Sequence, residues 1–146
     1  MTDAERNLRL VPPPARPRVP LLVSDVAAVP ESVTMLRHLV IAFAAANGLD
    51  GRRLGDVGLA VSEAVGNVVA HAYEAGEAGA VHLAADVEED SLEIVVADDG
   101  HGIRTGHSNG GLGVGLSMIA QLCSDFAVRE RRPAGTEIWM RFVFDD

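Results

Sequence analysis

The chain has 146 residues, 48% of them hydrophobic, enough for one well-buried core and too few for two ordinary domains. Its formal net charge of -9 argues against a nucleic-acid-binding face, which needs basic residues to replace condensed counterions, and favours a basic protein partner. All 12 basic residues are arginine, so the P-loop, the ordinary protein-kinase fold and Schiff-base chemistry, each dependent on an essential lysine, are excluded.

Residues 1–18 read as a proline-rich lead-in, because Pro12, Pro13, Pro14 and Pro17, followed by Pro20, suppress regular hydrogen bonding and favour extended backbone. Residues 19–146 read as one domain. The run at 39–46 is too short to span a bilayer, no apolar stretch of signal-peptide type follows Arg6 and Arg9, and Cys123 has no second cysteine to pair with. A cytoplasmic protein without membrane attachment is expected.

A first strand is expected over residues 19–23. Pro30 and Glu31 suit the first turn of a helix that Asn47 and Gly48 can end, and Asp50 can cap the next one. At about 100° per residue, Leu54, Val57, Val61, Val65, Val68 and Ala72 gather on one face of that second helix, which should pack on a sheet. Glu63 and Asn67 fall on the other side with Gly66 and Ala70, residues too small to cover them. Alternation over residues 81–87 and again from Leu92 to Val96, across an acidic turn, predicts a hairpin. Glycines crowd between Gly100 and Gly115, a helix is expected over residues 116–123, and two last strands centre on Val128 and on residues 138–144.

Three segments carry chemistry. Spacing of four puts Glu63 and Asn67 on neighbouring helical turns, where an amide oxygen can ligate Mg²⁺ and a carboxylate can accept a proton. Asp98 ends the strand that leads into Gly100 and Gly102, whose missing Cβ atoms allow a close approach and a sharp turn. Gly111, Gly113 and Gly115 expose backbone N–H groups where a helix offers its positive end, an anion site. A dinucleotide-binding reading of these glycines fails on spacing, and no strand leads directly into them. Each segment alone has an ordinary alternative: a solvated carboxylate and amide on an amphipathic helix, an Asp-Gly turn, a glycine-rich loop.

Taken together and in this order, the segments resemble the N-box, G1-box and G2-box of the gyrase, chaperone, histidine-kinase and mismatch-repair ATPase superfamily, with Gly135-Thr136 at the usual late position. The resemblance covers roughly residues 20–144. It implies an α+β fold, a two-layer α/β sandwich of Bergerat type with a mixed, mostly antiparallel sheet and helices on one face. It also implies ATP and Mg²⁺ as cofactors. By resemblance Glu63 is the catalytic base, Asn67 the Mg²⁺ ligand, and Asp98 the acceptor of the adenine amino group. Gly100, Gly102, Gly111, Gly113 and Gly115 line the nucleotide, and the Thr136 hydroxyl reaches the adenine region.

Histidine kinases usually carry a second asparagine where this chain has His71; the stretch SEAVGNVVAHAY, ending at Tyr73, is similar to the bacterial anti-sigma-factor serine kinases. Their brief lid is also closer to residues 104–109, where Arg104 and His107, with His101 before them, are candidates for touching phosphate. The resemblance thus implies a protein serine/threonine kinase that phosphorylates an anti-sigma-factor antagonist of STAS type and holds a sigma factor inactive, as a homodimer. Two alternatives stay open: an ATPase or histidine-kinase-type catalytic domain, and a module that binds ATP and sequesters its partner without transfer.

Overall fold

The computed structural model describes residues 20–101 and 113–144. Strand β1 (Leu22–Ala27) leads into helix α1 (Pro30–Ala46), whose first turn holds Pro30, where a missing N–H costs nothing, and the acidic Glu31. Ser32 anchors this start by donating from Oγ to the Ala27 carbonyl at 2.6 Å. Asn47 ends α1, and Gly48 turns the chain with φ of 99°, a backbone that side-chain-bearing residues rarely adopt. Asp50 caps helix α2 (Gly51–Asn67), its carboxylate accepting from the Arg53 N–H at 3.2 Å. A single π-helical turn, Val68–Ala72, continues α2 beyond Asn67.

Strands β2 (Ala80–Val87) and β3 (Ser91–Asp98) form the expected hairpin, followed by helix α3 (Gly113–Leu122) and strands β4 (Asp125–Glu130) and β5 (Thr136–Val143). The sheet order is β1-β2-β3-β5-β4, and all four pairings are antiparallel. The architecture is therefore the two-layer α+β sandwich the sequence suggested.

Period-two alternation sends Val81, Leu83, Ile94, Val96, Met140 and Phe142 to one face, where they join Leu36 and Val40 of α1 and Val57, Val61 and Val65 of α2 in a single core. The opposite face carries one apolar row that crosses every strand, Val23–Ala84–Val95–Trp139–Ala127. Charged pairs border it: Arg141 meets Asp125 at 2.9 Å, and Arg129 bonds Glu137. Arg53 fastens the start of α2 to the end of the sheet, donating from Nη2 to the Val143 carbonyl at 2.8 Å and to Ser124 Oγ at 3.1 Å.

Two boundaries differ from expectation. Strand β1 begins at Leu22 rather than at residue 19, because its register is set by pairing with β2, Leu22 opposite Ala85 through Ala27 opposite Ala80. Helix α3 begins at Gly113, three residues early, so two glycines of the presumed loop lie in the first helical turn. Among the described residues no helix is long and apolar enough to cross a membrane.

Replacing the α2 cap, Asp50→Ala, should lower unfolding free energy by about 1 kcal/mol, read as a lower urea midpoint with unchanged slope.

Candidate nucleotide site

The site is assembled on α2 and the π-helical turn. The buried stripe of α2, Val57, Ala60, Val61, Ala64 and Val65, fixes the helix to the sheet and to α1. That rotation leaves Glu63 and Asn67 half-buried on the opposite side. The first turn of α3 crosses just there. A Cβ placed on Gly115 would lie 3.1 Å from Glu63 Oε2 and 3.4 Å from both Asn67 Oδ1 and Nδ2. Glycine at 115 therefore lets the positive end of α3 approach the carboxylate and amide closely, and its backbone adds anion affinity to that spot.

One turn further along, the same helix meets the end of β3. The Ala72 carbonyl accepts from the His101 N–H at 2.9 Å, and a Cβ on Gly100 would overlap that carbonyl. The loop holding Gly100 thus packs backbone to backbone on the π-helical turn. Asp98, 5% exposed, is the last residue of β3 and faces Thr136 across the β3–β5 pair. Its Oδ1 accepts from the Gly100 N–H at 2.9 Å, and the Thr136 N–H is a second donor to the carboxylate. Burial raises the Asp98 pKa above the usual carboxylate value, and the two backbone N–H groups only partly oppose this. Such a carboxylate gains from any further donor that reaches it.

Beside it, the Thr136 hydroxyl is buried and has no hydrogen-bond partner among the described residues. A buried orphan hydroxyl carries a desolvation cost that a ligand or water can relieve, so this corner suits a polar heterocycle. Gly135 completes the seam with φ of 116°; a Cβ there would overlap the Asp98 carbonyl.

A family model described as histidine kinase-like ATPase domain matches residues 26–142. The chain belongs to this family. The chain is 40% identical over 86 residues to the serine-protein kinase RsbW of Bacillus licheniformis, covering 59% of this chain and 54% of that one. It is 30% identical over 125 residues to the anti-sigma F factor of Clostridium acetobutylicum, covering 78% of this chain and 87% of that one. Among solved structures, the RsbU and RsbW domains of Rv1364c from Mycobacterium tuberculosis match with a TM-score of 0.65 at 22% identity, over 86% of this chain and 33% of that chain. That likeness concerns the fold. The chain spans about half the length of the serine-protein kinases it resembles.

In this chain Glu63, Asn67 and Gly115 meet directly, while Asp98, Gly100 and Thr136 meet at the other end of the same helix. Gly113 is the first residue of α3. Gly102, Gly111, Arg104 and His107 lie outside the described residues. His71 is exposed, and among the described residues no group of three or more His, Cys, Asp or Glu side chains could hold a metal ion. His101 faces carboxylates, its Nε2 3.5 Å from Glu77 and 3.7 Å from Glu74.

Asp99, whose side chain is largely exposed, is paired. His82 Nε2 meets its Oδ2 at 2.5 Å while His82 Nδ1 meets Asp25 Oδ1 at 2.7 Å, and Arg131 lies 3.7 Å from Asp99 Oδ1. Sequence reading missed this bridge because its members stand 17 and 57 positions apart. The only signal was strand register, which puts Asp25 opposite His82 and His82 opposite Ala97, two residues before Asp99.

The Asp99 hydrogen bond, helped by Asp25 and opposed by burial, raises the His82 pKa above its ordinary 6.5. The same bond lowers the Asp99 pKa below 3.8. Stabilisation from a raised histidine is complete below pH 6.5 and fades as pH climbs through its folded value; that from a lowered carboxylate is complete above 3.8 and fades on acidification. Comparing urea unfolding of His82→Gln with wild type should show the larger destabilisation near about pH 5.5 and a smaller one near about pH 8.5. Gly100→Ala should cost about 1–3 kcal/mol or more in the same assay, since backbone must yield to the new methyl, and should weaken nucleotide binding alongside.

Proposed function

We propose that this domain binds ATP with Mg²⁺ and transfers the γ-phosphoryl group to a serine or threonine of an anti-sigma-factor antagonist, while sequestering a sigma factor. One observation carries the reading: the first turn of α3 lies against Glu63 and Asn67 with no side chain between them. That closeness supports a site built from backbone N–H groups, a carboxylate and an amide.

In this reading Asp98 accepts from the exocyclic amine of adenine and meets the carbonyl of guanine with an acceptor, so ATP is selected over GTP. Thr136 supplies its unpartnered hydroxyl to the same base, directly or through water. Asn67 offers its amide oxygen to Mg²⁺, which when bound neutralises phosphate charge. The amides at the start of α3 hold the phosphate oxygens. Glu63 takes the proton of the incoming hydroxyl as the bond from its oxygen to the γ-phosphorus forms and the bond to the bridging oxygen of ADP breaks. The similarity to proteins named serine-protein kinase and anti-sigma F factor supports a hydroxyl acceptor and a sigma-factor partner.

Incubation with Mg-ATP and a candidate serine-bearing antagonist should leave phosphate on the antagonist. Glu63→Ala should slow transfer by about 10²–10⁴-fold while ATP still binds, and Asn67→Ala should weaken Mg-ATP binding itself. ATP binding and sigma-factor capture with no phosphorylated partner would mark a sequestering module instead.

A further inference from the structure

Tyr73, the only tyrosine of the chain, stands where the π-helical turn gives way to extended backbone. Its hydroxyl donates to the Ala80 carbonyl at 2.5 Å and accepts from two N–H groups, that of Ala80 at 3.2 Å and that of Asp99 at 3.0 Å. One donor and two acceptor sites are all a phenol offers, so its hydrogen-bonding capacity is full. The ring is seated over Gly79, where a Cβ would overlap Cδ2, Cε2 and Cζ. The side chain thus joins the end of the catalytic helix, the start of β2 and the backbone just after Asp98.

The Asp99 N–H belongs to the peptide plane that begins at the Asp98 carbonyl carbon, and that plane is rigid. Fixing the N–H fixes the direction in which the chain leaves Asp98. The other side of the plane is fixed by Gly135, packed on the Asp98 carbonyl. The Asp98 side chain, with the Gly100 and Thr136 N–H groups on its carboxylate, has its origin set by these two supports.

We propose that Tyr73 is a positioning residue for nucleobase selection: its hydroxyl holds the Asp98–Asp99 peptide against β2, and thereby aims the carboxylate that distinguishes adenine from guanine. The inference rests on the nucleotide reading above but assigns a role to a residue outside the nucleotide-binding motifs. Loss of the hydroxyl leaves the aromatic packing in place and frees the peptide to rock, which penalises the directional hydrogen bond to adenine more than contacts to phosphate.

The test is calorimetric titration of the full chain and its Tyr73→Phe variant with Mg-ATP and with Mg-GTP. The variant should bind ATP about five- to tenfold more weakly with GTP affinity changed by no more than about twofold, so that base selectivity falls by nearly the whole ATP loss. In the nucleotide-free protein, the Asp99 amide should exchange faster with solvent in the variant. Gly79→Ala, which keeps the hydroxyl but displaces the ring, should shift selectivity in the same direction. Parallel weakening of ATP and GTP, or an unchanged ratio, overturns the role of Tyr73 while leaving the nucleotide site standing. A wild-type chain that binds neither nucleotide overturns both readings.

Discussion

A carboxylate buried where two strands meet is the constraint around which the rest of this domain is arranged. Asp98 has lost most of its water, and burial alone drives it toward the neutral form. Two backbone N–H groups keep it anchored, and both come from places where the chain must run unusually close: Gly100, pressed on the π-helical turn, and Thr136, preceded by a glycine with positive φ. Those approaches are possible only without a Cβ, so the small residues of the site are consequences of the carboxylate's needs.

The second half of the site depends on the same helix. Residues 51–72 run as one rod of α-helix and π-helical turn, with Glu63 and Asn67 in its middle stretch and the Ala72 carbonyl at its end. Because the rod is held along its length by buried valines and alanines, Glu63, Asn67 and the Ala72 carbonyl share one rigid support. Positioning by rigid elements is what phosphoryl transfer chiefly requires.

Much of this was legible in the residues themselves. The 3.6-residue period from Leu54 to Ala72 gave the buried face, and by subtraction the exposed side that holds Glu63 and Asn67. Alternation located β2 and β3, and Pro30, Gly48 and Asp50 marked helix ends through backbone chemistry that is local. Features set by distant pairing were not legible. The start of β1 follows from its neighbour, since residues from Leu22 onward pair with β2. Gly113 and Gly115 read as lying just before a helix, yet they fall in its first turn, where Gly115 lets the helix pass close to two polar side chains. The histidine bridge and the triple bonding of Tyr73 join residues that no local pattern connects.

The π-helical turn after Asn67 sets the angle at which the last carbonyl of the rod leaves the helix axis. A π turn takes in one more residue per turn than an α turn, so it rotates everything beyond it relative to ordinary helical phase. In that phase the Ala72 carbonyl accepts from the His101 N–H. The five residues from 68 to 72 therefore behave as a fixed-length spacer. Val68 and Ala72 are buried in the core, and gaining or losing a single residue would swing the carbonyl by about 100° and detach the loop after β3 from its support.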